Sequence, residues 1–484
     1  MSTTDPEMSA TSVTDAHSAF SPGLATVTAS LLGLVTIIAF ETMAVTTAMP
    51  AVALSLAAGP SYGLSFSLMF TGQLAGIVVA GVWAGARGPM PTLWTGLGVF
   101  AAGSVVAGVA PSFLVFLAGR LVAGLGGGLA FVSLYVVIGS AYPAPLQPQV
   151  FGWVAAAWVV PSIVGPLVAA ALTSGWGWRS VFLLIPAMGV PAAVGLRRAG
   201  PLLARGATCA ATPEVVTSGV DSGPGTGSAA RTVRHGLGMA CGALIFQAGT
   251  TIHGLPPGMG PIAAVLGMIL LAWCVPPLMP PGTFRLRSGE PSVMVARFTY
   301  MASFNAAIAF VALMLVENHG LSLVMSGSIV ALASLGWAAG SFIQGRAVFV
   351  GRGADLIRMG SVVLSVSAVG LWVADVLAGP PWVVAVALTG IGVAMGMGVT
   401  STSVVALALA PPQEHASASA SLQVADVLGS VTGVAMATVG YAAALSAHHP
   451  VTEAFIAVWS VTVVMALATL PAAWRIGPAS VVKD

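Results

Sequence analysis

The sequence predicts an all-α polytopic membrane protein, built as two pseudo-repeated six-helix bundles with an extra helix pair between them. Three observations predict it. Of the 484 residues 57% are apolar and only 6% charged, where a soluble domain is roughly a quarter charged. Apolar stretches of about 20 residues recur from end to end, each long enough to cross a hydrocarbon core of about 30 Å. The basic residues then fall almost wholly on one side of the resulting map.

Taken in order, residues 1–22 are polar and lack Lys and Arg, so they read as a disordered cytoplasmic tail rather than a cleaved signal peptide. Pro, Gly and charge punctuation sets spans at 24–48, 62–84, 92–110, 113–140, 150–172 and 180–196, an N-terminal bundle over 23–198. A Gly/Ser/Thr-rich cytoplasmic linker follows at 199–235. The extra pair occupies 236–279, as spans 236–253 and 259–279 around GLPPG, and a cytoplasmic loop covers 280–291. The second bundle, 292–473, has spans at 292–315, 322–345, 354–376, 382–409, 417–443 and 453–472, and a cytoplasmic tail closes the chain at 474–484.

With both termini cytoplasmic, the inner side holds Arg87, Arg197, Arg198, Arg205, Arg231, Arg234, Arg285, Arg287, Arg297, Arg346, Arg352, Arg358, Arg475 and Lys483. Arg179 alone falls outside and Arg120 lies within a span, which is the asymmetry expected of cytoplasmic loops. The pair at 236–279 enters and leaves on one side, so charge supports six plus six spans and hydropathy alone supports fourteen.

Several classes are excluded. A single lysine and arginines scattered between apolar runs offer no face to a nucleic acid. Cys209, Cys241 and Cys274 are odd in number and widely spaced, neither a disulfide framework nor a metal set. No H-E-x-x-H, G-x-S-x-G or CxxC occurs, and GLGGG (124–128) lies mid-span with no strand before it, where small residues pack helices. His448-His449 has no third ligand and reads as solvated. We therefore expect no enzyme, no cofactor and no metal.

Two local matches relate the halves. AGLGGG (123–128) aligns with TGIGVA (389–394), and PSIVGPLVAA (161–170) with GSVTGVAMAT (429–438), at offsets of 266 and 268. A duplicated bundle places a substrate cavity near the midplane between its halves.

Three charges lie well inside predicted spans. Glu41, in FETMAVTTAMP (40–50), is about eight residues from the outer end of the first span. Arg120 is about seven residues into the fourth, so both lie roughly 10–12 Å deep at the helical rise. Asp426 is about nine residues into the penultimate span from the cytoplasmic side. Charges in hydrocarbon cost several kcal/mol and face partners or water, which marks them as functional candidates.

These motifs resemble the major facilitator superfamily, especially its fourteen-helix drug:proton antiporter branch, over nearly the whole chain after the tail. FETMAVTTAMP is similar to that branch's first-helix pattern, with Glu41 at the acid and Pro50 at the proline. RLVAG resembles R-x-x-Q-G, keeping Arg120 and Gly124 with Ala123 for the glutamine. PSIVGPLVAA keeps Gly165 and Pro166 of the antiporter motif. The loop motif between the second and third helices keeps Gly81 and Gly88 in GVWAGARGPM, but Gly85 replaces its acid and Pro89-Met90 its basic pair. The loop YPAPLQPQV is uncharged too, so the usual charged gate of the first half is missing.

The resemblance implies a secondary active transporter working by alternating access, with Gly81, Gly88, Gly165 and Pro166 in the conformational switch. In that architecture the first and fourth helices line the cavity, which would bring Glu41 and Arg120 together. Burial favours a protonated acid and a neighbouring guanidinium an ionised one, a balance suited to proton coupling. The plainer reading is an ion pair that only locks two helices. Asp426 reads as a second protonatable group, or as an acid in a wet vestibule. Thr46, Gln73, Tyr135, Asn305, Thr400, Ser401 and Gln423 are cavity candidates, although Ser and Thr in membrane helices more often bond locally. Trp153, Trp158 and Trp337 are candidates for stacking on planar substrates.

The expected function is proton-driven export of small apolar or cationic molecules, a multidrug-efflux activity, by a monomer in the plasma membrane. Its partners are substrate, protons and the lipid bilayer. The antiport direction rests on the resemblance. Metabolite uptake by symport on the same fold is the first alternative, and a non-transporting membrane sensor or assembly partner the second.

Overall fold

In hydrocarbon the backbone can satisfy its polar groups only within the segment, so each apolar run closes on itself as a helix. The computed structural model describes residues 20–21, 24–143, 146–198, 226–251, 259–349, 351–410, 415–448 and 450–477. Among these, fifteen helices and no strands occur: α1 (Ala25–Ser55), α2 (Leu64–Arg87), α3 (Pro89–Gly108), α4 (Phe113–Ala141), α5 (Gln147–Ala156), α6 (Val159–Trp176), α7 (Arg179–Arg198), α8 (Thr226–Thr251), α9 (Met259–Cys274), α10 (Glu290–Glu317), α11 (Leu323–Gln344), α12 (Gly353–Val376), α13 (Pro381–Leu409), α14 (His415–Ser446) and α15 (Val451–Trp474). Twelve are long and apolar enough to cross a membrane. The chain is a multi-pass membrane protein. Most of the N-terminal tail, residues 199–225 of the linker, GLPPG, Cys209, His449 and Lys483 lie outside the described residues.

Four boundaries differ from expectation. The first span does not close at Pro50: α1 runs on to Ser55 with Pro50 buried inside it. A proline removes one N–H and crowds the carbonyl four residues back, and packed neighbouring helices can offset both in a membrane bundle. Glu41 therefore sits mid-helix, fourteen residues from the end rather than eight. The expected span 150–172 breaks into α5 and α6 at Ala157-Trp158. Pro161 accounts for the break, since its ring clashes with the carbonyl four residues back, that of Ala157. The linker's last ten residues are helical, because α8 begins at Thr226. The expected span 259–279 stops as an α-helix at Cys274, and Pro276-Pro277 tighten its end into a 3₁₀ turn.

The helices fall into two sets packed in the same way. In the first, α4 packs along α2 and α3, and α1 against α6 and α7. In the second, α13 packs along α11 and α12, and α10 against α14 and α15. Glycine sets the approach at corresponding places. A Cβ on Gly124 or Gly128 of α4 would lie 2.0 Å from the Met69 carbonyl oxygen or 2.2 Å from that of Gln73. On α13, a Cβ on Gly392 or Gly396 would lie 1.9 Å from the Ala333 carbonyl oxygen or 2.2 Å from that of Trp337. This corrects the register of the repeat: Gly124 corresponds to Gly392, an offset of 268 rather than 266, matching the offset of the other aligned segment. Gly124→Val and Gly392→Val should each cost about 1–3 kcal/mol through overpacking. Gly98→Val, with nothing within 4 Å of its Cβ, should melt like the parent in a detergent thermal-unfolding assay.

The two sets meet along α2–α14 and α6–α11, with α10 against α1. At the face where α1 ends, the Tyr62 ring packs tilted against Phe310 with ring centres 5.3 Å apart, and Phe310 likewise against Tyr441 at 5.3 Å. The α8–α9 pair is antiparallel, Gly242 and Gly249 facing Gly267 and Gly260. It lies on the α2–α14 seam, where Met239, Ala240, Ala243 and Cys274 share a core with Leu74 of α2 and Val427, Leu428 and Val431 of α14. Buried Gln247 fixes it there: its Oε1 accepts from Ser67 Oγ at 2.9 Å, and its Nε2 donates to Thr71 Oγ1 at 2.9 Å.

Candidate functional site

Glu41 and Arg120 meet. Arg120 reaches from α4 to α1, donating from Nη1 to Glu41 Oε1, and donates from Nε to the Ser65 carbonyl of α2 at 3.0 Å. Three helices are thus joined through one guanidinium. Glu41 is fully buried and Arg120 is 3% exposed, so in this conformation the pair is packed between helices rather than open to a cavity. The second carboxylate oxygen, Oε2, is buried with no hydrogen-bond partner. A buried carboxylate oxygen left unpaired is costly.

Gly165, expected from the resemblance to belong to a conformational switch, lies against the same segment. A Cβ on Gly165 of α6 would sit 3.6 Å from Phe40 and Met43, one residue before and two residues after Glu41 in α1. The next residue, Pro166, faces the other set: its carbonyl oxygen would be 3.1 Å from a Cβ on Gly327 of α11, with Thr47 of α1 on the other side at 2.8 Å. The contact between the sets at α6–α11 is thus one residue along α6 from the contact beside Glu41.

The second acid also has a partner, which the sequence reading counted among the inner-side basic residues. Arg297 of α10 grips Asp426 of α14 with both Nε and Nη2, the latter at 2.7 Å. Its Nη1 serves α13, donating to the Val399 carbonyl, Thr402 Oγ1 at 3.0 Å and Ser403 Oγ at 3.0 Å. The side chains are 10% and 16% exposed, wetter than the first pair at 4% and 1%. The signal that could have found Arg297 is its place five residues inside the span expected at 292–315.

The polar candidates divide between the two places. Tyr135 of α4 is half-buried, its ring centre 4.9 Å from that of Phe131 on the same helix. Half-buried Gln423 is one turn before Asp426, and Asn305 donates to Ser430 Oγ at 3.0 Å, which in turn donates to the Asp426 carbonyl at 2.7 Å. Thr46 bonds only its own helix, through the Thr42 carbonyl at 3.3 Å. Thr400 and Ser341 hydroxyls approach to 3.5 Å across α13 and α11. Gln73 is half-buried, its backbone receiving Gly128. Trp337 packs edge-on against Phe304, and Trp153 edge-on against Phe20.

The profile of the Major Facilitator Superfamily matches residues 31–434. The chain belongs to that superfamily. It is similar to the MFS-type transporter ungB of Aspergillus violaceofuscus, 32% identical over 28% of this chain and 24% of that one. It is similar to the efflux pump aunC of Aspergillus niger, 35% identical over 22% of this chain and 20% of the pump. The matched stretches span about a quarter of the length of such curated relatives or less. In fold it is similar to a D-xylose-proton symporter, with a TM-score of 0.60 at 14% identity, covering 94% of this chain and 99% of the symporter.

This chain thus matches relatives and neighbours that are described as transporters, efflux pumps and a symporter. Its two corresponding turns differ. Between α2 and α3 the loop motif retains Gly88 because the backbone there takes φ 84° and ψ 164°, a region open essentially to glycine alone. Gly81 is half-buried seven residues earlier in α2. Among the described residues, Arg87 beside that turn makes no ion pair. Between α11 and α12 the charges are present. Asp355 pairs with Arg352 at 3.6 Å and Arg358 at 3.2 Å, and Arg358 also donates to the Ile476 carbonyl at 2.9 Å.

Proposed function

We propose that this transporter is a proton-coupled exporter of small apolar or cationic molecules, working by alternating access in the plasma membrane. In this reading fourteen helices span the bilayer with both termini cytoplasmic, the segment α5–α6 and the more polar α8 completing the twelve. The observation that carries it is the Glu41–Arg120 pair with its unpartnered Oε2, placed against Gly165. Protonating a dry carboxylate that holds a guanidinium by one oxygen removes the charge that keeps the pair closed. Loosening it requires movement of α1, α4 or α6, which are the helices a rocking motion would displace. Coupling then follows: protonation of Glu41 releases Arg120, and the released pair favours the alternate arrangement of the two sets. The Tyr62–Phe310–Tyr441 seal lies on the outer side, so substrate reaches the interior from the cytoplasm. Asp426, held by Arg297 in a wetter place, supplies the negative charge that recognises a cation or sets the proton stoichiometry. The protein works as a monomer.

The test uses everted membrane vesicles with an imposed proton gradient. Addition of a lipophilic cation such as ethidium should partly collapse the gradient in vesicles carrying the wild type. With Glu41→Gln, which preserves shape and an oxygen for Arg120 but accepts no proton, the collapse should fall at least tenfold in protein that still folds, its detergent melt lowered by the stranded Arg120 charge. Normal collapse in that variant would remove Glu41 from the coupling role. Uptake by symport on the same fold is the alternative, and cells would then accumulate rather than expel the probe.

A further inference from the structure

We propose that the turn between α9 and α10, together with the end of α15, binds a phosphate-bearing anion at the membrane surface, supplied by the headgroup of an anionic phospholipid. An open cleft of about 800 Å³ lies there, lined by Pro281, Gly282, Phe284, Arg285, Arg287 and Arg475 among others. Three guanidiniums from two separate parts of the chain converge on it, and no carboxylate lines it. Among the described residues none of the three forms an ion pair, and neither Arg285 nor Arg287 spends a side-chain hydrogen bond on the protein. Arg475 spends one, from Nη1 to the Leu286 carbonyl at 3.2 Å, which ties its backbone position to the turn.

The turn is built rather than slack. The Gly282 carbonyl accepts from both Arg285 N at 3.0 Å and Arg287 N at 3.2 Å. Leu286 between them is held at φ 49°, a left-handed conformation that a branched residue avoids unless its surroundings impose it. Thr283 is buried and bonds the Pro280 carbonyl at 2.6 Å, and Ser292 bonds the Arg287 carbonyl at 2.8 Å. The strained residue thus fixes how two arginines are presented. Guanidinium is the side-chain group best matched to phosphate, which it binds through paired N–H donors. The source follows from the setting. This is the face at which α10 begins and α15 ends, and Phe284, 68% exposed, is a surface that hydrocarbon covers more readily than water. Basic clusters at such a boundary are attracted to anionic lipid.

The test is lipid retention, read by native mass spectrometry of protein purified with mixed phosphatidylglycerol and phosphatidylcholine. Wild type should retain phosphatidylglycerol at least tenfold over phosphatidylcholine. The triple variant Arg285→Gln/Arg287→Gln/Arg475→Gln should fall to within twofold of parity, while Arg197→Gln/Arg198→Gln, an exposed basic pair at the end of α7, should behave as wild type. If the triple variant does not fold, Arg287→Gln alone should lower the preference at least threefold. Displacement of the lipid by millimolar inorganic phosphate would assign the site to free phosphate as well as to headgroups; no displacement would assign it to the membrane-anchored source. The proposal fails if wild type shows no preference for the anionic lipid, or if both arginine sets lower the preference equally.

Discussion

Arg120→Met should yield a transporter that is markedly less stable than the parent, by about 3–5 kcal/mol, because it strands a buried charge. Glu41 has no exposed surface, and Arg120 supplies its only hydrogen bond among the described residues. The variant also removes the donor to the Ser65 carbonyl, loosening α2 from α4 at the same point. The decisive comparison is the double variant Glu41→Gln/Arg120→Met, in which neither charge remains. It should recover most of the loss, giving a coupling energy of roughly 2 kcal/mol or more in a double-mutant cycle. Both can be read from fluorescence-detected size-exclusion melts in detergent. If Arg120→Met melts like the parent, the two side chains are not paired in the folded protein. The double variant, stable but without a titratable group, should not couple substrate movement to protons.

Arg297→Met should show the opposite balance, a modest loss of stability with a large loss of transport. Its partner Asp426 is 16% exposed at the side chain, so water can take over part of what the guanidinium supplied, and the cost should be about 1–3 kcal/mol. Transport should fall at least tenfold, since Arg297 is the group that ties α10 to both α13 and α14. Asp426→Asn keeps the size of the acid and one acceptor, and it should retain the fold better than Arg297→Met. Its signature should be a reduced preference for cationic over neutral probes in an efflux assay. Equal transport of both probes before and after that change would remove Asp426 from recognition.

The parts of this architecture legible from sequence were those that the bilayer enforces. Helices follow apolar runs because nothing else is permitted there, and isolated charges such as Glu41 and Arg120 stand out because hydrocarbon makes them expensive. Depth was harder. Pro50 looked like a terminator, yet a proline ends a helix in water more surely than among packed helices, so Glu41 was set too near the surface. Arg297 escaped notice as a site residue because arginines near span ends are expected on the inner side, and composition cannot tell a loop charge from one folded back onto a neighbouring helix. The repeat was visible, but AGLGGG offers several equivalent glycines. Only the carbonyls that Gly124 and Gly392 meet on the adjacent helices fix which correspond. Pairings such as Gln247 with Ser67 and Thr71 join residues nearly 180 apart in the chain and leave no local trace.

The α8–α9 pair gives the bundle two unequal flanks. At the α2–α14 seam, a molecule arriving sideways from the bilayer first meets an added helical layer, whose outer surface is Ile262, Leu266, Ile269 and Trp273. At the α6–α11 seam it meets the bundle itself, with Val164, Leu167, Met325 and Leu335 exposed. The internal duplication would make these flanks alike, and the inserted pair makes them different. On the proposed reading, a lipophilic molecule partitioned into the membrane would therefore have one shorter lateral route to the interior. That route passes the contact between Pro166 and Gly327.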